Sequence, residues 1–194
     1  MVAALKLPDP MTVEAFLGWD TPKGELWQLI DGTPCAMAPP SPLHGLIQSE
    51  ASGLIRDHLR AKQSPCVVLT TPGVIPRLQS DTNMRIPDLG VTCTPARPGD
   101  TAMRDPVLLI EVLSPSNHAE TWMNVWSYTT IPSVREILVL RTASVGADLL
   151  RRQPDGSWPE RQITFETGDL TLESIGYIGP VAAFYRTTWL AESA

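Results

Sequence analysis

Two stretches decide how this chain folds: RIPD at residues 85–88 and the apolar run VLLIEVL at residues 107–113. An uninterrupted apolar run of this length is typical of a strand that is buried on both faces of a sheet. Glu111 lies within that run, and a buried ionised carboxylate needs a cation, a strong hydrogen-bond donor or a metal ion. If a neighbouring strand delivers Asp88, the two acids form a site for a hard cation.

Each acid also has a purely structural interpretation. Aspartate is common at turns, so Asp88 could simply open a strand after Pro87. Glu111 could form a buried ion pair, for example with Arg85. Charged residues are rare inside such an apolar strand unless they are functional, and this favours a site over an ion pair.

Length and composition indicate one globular domain. The chain has 194 residues, of which 43% are hydrophobic, and this is enough to bury a sizeable core. We expect a single domain over residues 1–194, with its core at about 11–185. The formal net charge of −6 argues against a broad basic surface for nucleic acid, but it allows a narrow cleft with a few arginines on its rim.

The cysteines and the apolar runs bear on cellular location. Three cysteines without a CxxC spacing fit neither a disulfide framework nor a zinc site, and they favour a reducing compartment. The first ten residues lack a basic region followed by an apolar core, so we expect no secretory signal. No apolar run approaches the roughly 18 residues that span a bilayer. Together these features predict a cytoplasmic protein.

Hydrophobic periodicity predicts an α/β domain with a mixed sheet. Helices are expected over residues 11–19, with Thr12 as the N-cap, and over about 44–61 and 118–129. Asp31-Gly32 predicts a hairpin turn. The predicted strands cover residues 66–71, 74–77, 84–92, 106–113 and 136–140. Short strands and turns are expected from 146 to 190, with a helical piece near 180–185.

Polar residues on the two longer helices are candidates for the same cleft. His44 and Gln48 are one turn apart at the border of the apolar stripe of the 44–61 helix, where they could face a cleft. A surface histidine near a helix start is the open alternative. Asn124 and Tyr128 share a face of the 118–129 helix that could turn toward the cleft.

The start of the 118–129 helix has a structural interpretation. Ser116 and Asn117 precede Glu120 at a spacing that favours helix capping. Trp122, Val125 and Trp126 are predicted to form the core face of this helix. No phosphate-binding glycine loop, GxSxG elbow or HExxH motif occurs in the chain.

These segments, in this order, resemble a large bacterial family of restriction endonuclease-like proteins within the PD-(D/E)XK nuclease superfamily. The resemblance covers about residues 11–185. It rests on residues 11–16, 29–32, 36–39, 42–44, 73–74, 85–88, 111–116 and 131–136. It implies a restriction-endonuclease-like core, which is a mixed β-sheet flanked by helices.

The resemblance also implies a metal site and a substrate. Asp88 and Glu111 match the acids that bind Mg²⁺ or Mn²⁺ in the family, and the backbone carbonyl of Val112 would be a further ligand. His44 matches a usual cleft residue of the family. DNA is the implied substrate, and nucleases of this fold often form homodimers.

Two positions depart from the family pattern. Gln28 stands where much of the family has a glutamate, and this removes one possible anionic metal ligand. The superfamily lysine is Leu113 here, and the lysine that this family usually supplies from the following helix is Asn124. Asparagine carries no charge, so it cannot stabilise a developing phosphorane or take a proton from water as lysine could.

Three hypotheses follow. The first is a metal-dependent DNA endonuclease in which Asp88 and Glu111 are catalytic, with His44, Gln48 and Asn124 as further catalytic candidates. In it, Arg85 or Arg77 could supply part of the missing lysine's charge. The second is a catalytically degenerate nuclease fold that serves as a nucleic-acid-binding or regulatory module. The third is a structural homodimer, which leaves Glu111 unexplained.

Overall fold

The computed structural model describes residues 9–20 and 25–193. The secretory-signal expectation concerns the first ten residues, of which the first eight lie outside this range. No helix within the described ranges is both long enough and apolar enough to cross a membrane.

Within the described residues, short strands alternate with three α-helices, and two 3₁₀ turns follow the last strand. The α-helices are α1 (Val13–Leu17), α2 (Pro42–Ala61) and α3 (His118–Tyr128). The strands are β1 (Trp27–Ile30), β2 (Thr33–Ala36), β3 (Val67–Thr70), β4 (Leu89–Thr92), β5 (Pro106–Leu113), β6 (Glu136–Arg141), β7 (Ala147–Arg151), β8 (Ile163–Phe165), β9 (Asp169–Leu172) and β10 (Tyr177–Pro180). The 3₁₀ helices are Pro115–Asn117, Val181–Tyr185 and Trp189–Ser193.

Six strands form one mixed sheet in the order β3-β4-β5-β6-β7-β8. Only the β5–β6 pair is parallel, and α3 makes the crossover that this pairing requires. The other neighbours in this sheet are antiparallel. Two separate hairpins, β1–β2 and β9–β10, complete the strands. The predicted α/β class and mixed sheet are confirmed.

Helices cover both faces of the central strands. Along β5, alternate side chains point to opposite faces. Leu108, Ile110 and Val112 pack in the same cluster as the buried face of α2. Leu109 packs with Val125 and Tyr128 of α3 on the other face. Because strand β5 is buried on both faces, its sequence is apolar throughout except at Glu111, which lies on the α3 side.

Serine, threonine and proline set where the helices begin. The Oγ1 of Thr12 accepts the N–H of Ala15, as predicted for an N-cap. Helix α2 begins at Pro42, two residues before the predicted start, because Ser41 caps it and proline suits the first helical position. The Oγ of Ser41 accepts the N–H of His44, so this histidine lies in the first turn of α2.

Two predicted strands are wrong in extent. Residues 74–77 and the first half of 84–92 form only isolated bridges, Val74 with Arg85 and Leu29 with Met84. Pro76 and Pro87 interrupt these segments, and proline has no N–H to donate to a ladder. The regular strand therefore starts at Leu89, and the segment before it extends toward the β1–β2 hairpin.

The prediction that the cysteines form no disulfide is wrong. Val67 pairs with Thr92 in the β3–β4 ladder, so Cys66 and Cys93 stand opposite each other one residue further along. A disulfide joins them, and Cys35 is free. The cysteine count therefore no longer supports a reducing compartment.

We expect the Cys66→Ala substitution to lower the free energy of unfolding by about 3 kcal/mol, because the disulfide closes a loop between residues 27 apart in sequence. Urea unfolding followed by tryptophan fluorescence without reductant measures this loss. Cys35→Ala is the matched control, and it should change the midpoint little. Equal midpoints for wild type and Cys66→Ala would mean that the bond contributes nothing.

Candidate functional site

The register of β4 and β5 brings the two predicted acids together. Leu89 pairs with Ile110 in this antiparallel ladder, and Asp88 is the residue just before β4, while Glu111 follows Ile110 in β5. The two side chains are close enough that the charge of Asp88, after burial, helps to raise the pKa of Glu111. The two carboxylates thus meet where β4 begins.

Helix α2 and strand β5 fix the position of Asp88. The Nε2 of His44 lies 2.8 Å from Oδ1 of Asp88, within hydrogen-bonding distance. The backbone N–H of Val112 donates to Oδ2 at 2.7 Å. The side-chain amide of Gln48 donates to the backbone carbonyl of Asp88 at 2.9 Å. Both carboxylate oxygens therefore have partners, and the side chain is oriented in the free protein.

Helix α3 supplies the partner of Glu111. The hydroxyl of Tyr128 donates to Oε1 of Glu111 at 2.6 Å, and both residues are buried. Burial raises the pKa of Glu111 well above its usual range, and the nearby charge of Asp88 raises it further, while the Tyr128 hydrogen bond partly opposes both effects. The partner of Glu111 is thus a phenol, and the alternative of an ion pair with Arg85 does not occur.

The chemistry of this donor set fits a hard divalent cation. Two carboxylates that repel each other in a buried place gain most from a cation between them. Magnesium is usually held by one or two carboxylates and keeps several water ligands. Across the described residues, no group of three histidine, cysteine or acidic side chains forms a metal cluster. The arrangement therefore fits a magnesium-type ion better than a structural zinc, which usually takes four protein ligands.

A buried arginine lies within electrostatic reach of Tyr128. Arg85 is only 6% exposed. Its Nη2 donates to Oδ1 of Asn83 at 3.1 Å, and its Nη1 donates weakly to Oδ1 of Asn124 at 3.4 Å. Its Nε is buried without a hydrogen-bond partner in the described part of the chain. Burial lowers the pKa of Arg85 from its ordinary value.

Gln28 forms a hydrogen bond with a third carboxylate, that of Glu120 on α3. The side-chain amide of Gln28 donates to Oε1 of Glu120 at 2.9 Å, while its own Oε1 is buried without a partner. The interpretation of Glu120 as part of a helix cap is therefore wrong. At the start of α3, Oδ1 of Asn117 accepts the N–H of Ser114 instead.

The buried face of α3 differs from the predicted one. Thr121, Asn124, Val125 and Tyr128 are buried. Trp126 was predicted to lie in the core, but it is 48% exposed. Two of the buried residues contact Arg85 and Glu111 through polar groups: Asn124 accepts from Arg85 and Tyr128 donates to Glu111.

Arg77 lies apart from these contacts. It is exposed, and its backbone N–H donates to Oγ1 of Thr130, beyond the C-terminal end of α3. Of the two arginines considered as substitutes for the missing lysine, only Arg85 contacts Asn124.

Sequence reasoning left two contacts of this site unassigned. Tyr128 was placed on a face of α3 but was not assigned to Glu111, although a tyrosine one turn from Asn124 on the crossover helix was a usable signal. Asn83 gave no signal, because its role depends on Arg85 and on a further hydrogen bond with Asp31.

Comparisons with known proteins agree with this architecture. The model of the Uma2 family, described as "Putative restriction endonuclease", matches residues 13–178. A protein of Synechocystis sp. described as uncharacterized is 30% identical over 179 residues, which are 91% of this chain and 92% of that protein.

A solved structure shows the same fold. It is the crystal structure of a protein from Anabaena variabilis ATCC 29413, described as "a putative nuclease belonging to DUF820". It matches with a TM-score of 0.73 at 15% identity, and the match covers 91% of this chain and 98% of that one. Because the family model spans most of the chain and the fold agrees, this protein belongs to the Uma2 family of restriction endonuclease-like proteins.

Proposed function

We propose that this protein is a metal-dependent endonuclease that hydrolyses phosphodiester bonds in DNA. The observation that carries the proposal is the acid pair, in which half-buried Asp88 lies against buried Glu111. A protein gains nothing in stability from two facing carboxylates in a buried place, so a ligand that needs both is the simplest reason for them. Membership of a restriction endonuclease-like family supports the same reaction class.

The proposed roles follow from the contacts of each residue. Asp88 and Glu111 would hold Mg²⁺ or Mn²⁺, with the carbonyl of Val112 as a further ligand. When bound, such an ion lowers the pKa of the attacking water and offsets charge on the scissile phosphate. His44 and Gln48 position Asp88, since both contact it directly.

On the α3 side, two residues act through their neighbours. Tyr128 positions Glu111 by donating to its carboxylate. Asn124 contacts Arg85, so we assign it to positioning that guanidinium. Among the catalytic candidates from the sequence, this leaves the two acids as the groups that would act on the reacting atoms.

A catalytically degenerate binding module is the second candidate. Its support is that Gln28 and Asn124 are neutral where the family usually carries charge. Titration calorimetry with Mn²⁺ separates the two functions. The endonuclease proposal expects wild type to bind Mn²⁺ and Asp88→Ala to lose that binding, whereas a degenerate site should bind no metal even at millimolar concentration.

A homodimer and a cytoplasmic location belong to the same proposal. Trp126 and Met123 expose apolar surface on α3, at 48% and 57%, and the cores of homodimer interfaces favour such side chains. In the cytoplasm the protein would have access to cellular DNA, its proposed substrate. Sedimentation velocity at micromolar concentration tests the dimer, and a single monomeric species would contradict it.

We expect the purified protein to cleave plasmid DNA with Mg²⁺ or Mn²⁺, and Asp88→Ala or Glu111→Gln to reduce the rate on the order of 100-fold or more, because each removes a ligand that stabilises charge in the transition state. Agarose gels with supercoiled plasmid measure nicking and linearisation. Asp57→Asn, an exposed acid on α2, is the matched control. Unchanged cleavage by both site variants would rule out this assignment.

The raised pKa of Glu111 predicts how the stability of the metal-free protein depends on pH. The folded protein favours protonated Glu111 relative to the unfolded chain, where the pKa is about 4.3. This contribution to stability is fully present below about pH 4.3, and it is lost as pH rises through the higher folded value. A tenfold difference in proton affinity between the two states corresponds to about 1.4 kcal/mol in the free energy of unfolding.

Urea unfolding in EDTA between pH 5 and 8 measures this effect. Glu111→Gln keeps an acceptor for Tyr128 but does not titrate, so it should be more stable than wild type at pH 8 and should depend less on pH. Adding Mn²⁺ should raise the stability of wild type alone. Parallel pH curves for the two proteins would contradict the raised pKa.

A further inference from the structure

We propose that Arg85 is a phosphate-binding residue of the cleft, whose guanidinium binds an oxygen of the nucleic-acid backbone beside the acid pair. The inference rests on the proposed function and names the group that would recognise the substrate's charge.

The first step is that Arg85 is a buried cation that no described carboxylate contacts directly. The charges of Asp31 and Glu120 act on it from further away and partly oppose the lowering of its pKa by burial. Its two hydrogen bonds go to the neutral amide oxygens of Asn83 and Asn124. It forms no ion pair with any residue that the structure describes. Two other arginines with restricted exposure do have carboxylate partners: Arg141 with Asp148 at 2.6 Å and Arg151 with Glu136 at 2.7 Å. An arginine keeps its charge when buried, so an uncompensated one is costly unless an anion joins it.

The second step is that Arg85 still has an unused donor. Its Nε–H is buried and has no hydrogen-bond partner in the described chain. By comparison, the Nε and both terminal nitrogens of Arg152 all donate to backbone carbonyls. A guanidinium with a free Nε–H beside a terminal N–H can bind two oxygens of one phosphate group. Arg85 is therefore equipped to accept a further anionic ligand.

The third step concerns the residue that faces Arg85. Leu29 and Met84 form an antiparallel bridge, so the next pair in this register is Gln28 with Arg85. An acid at position 28 could neutralise the guanidinium, but the amide of Gln28 cannot. The amide instead donates to Glu120, and its Oε1 remains without a partner. The β1 strand thus leaves the charge of Arg85 available to a ligand.

The fourth step is that Arg85 lies close to where chemistry would occur. Asn124, which contacts Arg85, is one helical turn from Tyr128, which contacts Glu111. Burial raises the pKa of Tyr128 and the nearby charge of Arg85 partly opposes this, so the guanidinium lies within electrostatic reach of the hydroxyl that binds Glu111. A fixed cation in this position can stabilise negative charge that develops on the phosphate.

Fluorescence anisotropy with a labelled 20-base-pair DNA duplex, titrated at several NaCl concentrations, tests the inference without relying on cleavage. All proteins carry Glu111→Gln, so that the duplex is not hydrolysed. Arg85→Gln should weaken binding about tenfold or more, because one charge-assisted contact is lost. The plot of log K for DNA binding against log salt concentration has a negative slope, and its magnitude should decrease by about 1. A purely structural role of Arg85 would not cause this change.

Two further variants make the result specific. Arg56→Gln removes the same charge from an exposed position twelve residues after His44 on α2, and it should change the affinity and the slope little. Asn124→Asp gives Arg85 a carboxylate partner, so it should reduce affinity and slope as Arg85→Gln does while leaving thermal stability equal or higher. If Arg85→Gln does not fold, Asn124→Asp decides the question alone.

The outcomes separate this inference from the proposed function. If Arg85→Gln and Asn124→Asp bind DNA with the same affinity and salt dependence as the Glu111→Gln protein that carries neither, Arg85 is structural and the inference is wrong. Cleavage by wild type would still support the endonuclease. If the Glu111→Gln protein binds DNA and Arg85→Gln weakens that binding, but wild type never cleaves DNA, the inference stands and the endonuclease proposal does not. If the Glu111→Gln protein does not bind DNA, both the inference and the endonuclease proposal are wrong.

Discussion

The unfavourable burial of Glu111 opposite Asp88 is the constraint on which the rest of this site depends. Strand β5 is buried on both faces, so a carboxyl group in its middle needs polar partners, and burial raises its pKa. The two helices on opposite faces of the sheet supply partners to the acid pair. Helix α2 holds Asp88 through His44, and helix α3 holds Glu111 through Tyr128. His44 and Gln48 of α2 and Tyr128 of α3 therefore all contact the acid pair.

A second polar layer surrounds Arg85, and in the proposed site it would supply positive charge. Asn124 brings no charge, yet it contacts a guanidinium that lies within electrostatic reach of Tyr128. Gln28 brings no charge either, and it therefore does not neutralise that guanidinium. In the proposed site the neutral residues Gln28 and Asn124 belong together, because a charge at only one of these positions would alter the balance of charge around Arg85.

Local patterns predicted the parts of the fold that local physics controls. The apolar runs predicted β5 and β6, the Asp31-Gly32 turn predicted the first hairpin, and a lone carboxylate in a buried strand indicated a candidate site, which stays a prediction. The sequence did not predict which distant segments of the chain become neighbours. The Cys66–Cys93 disulfide, the contact of Tyr128 with Glu111 and the exposure of Trp126 all depend on which elements become neighbours. Proline shortened two strands because it removes backbone donors that periodicity alone does not count.

The most direct test of the central claim is a crystal soaked in Mn²⁺, with anomalous scattering recorded to locate the ion. Our account predicts a peak between the carboxylates of Asp88 and Glu111, with the hydrogen bond from Tyr128 retained or only slightly shifted. A map without that peak at millimolar Mn²⁺, and with the two carboxyl groups joined by a shared proton, would contradict it. The acid pair would then be a structural feature of the fold and not a metal site.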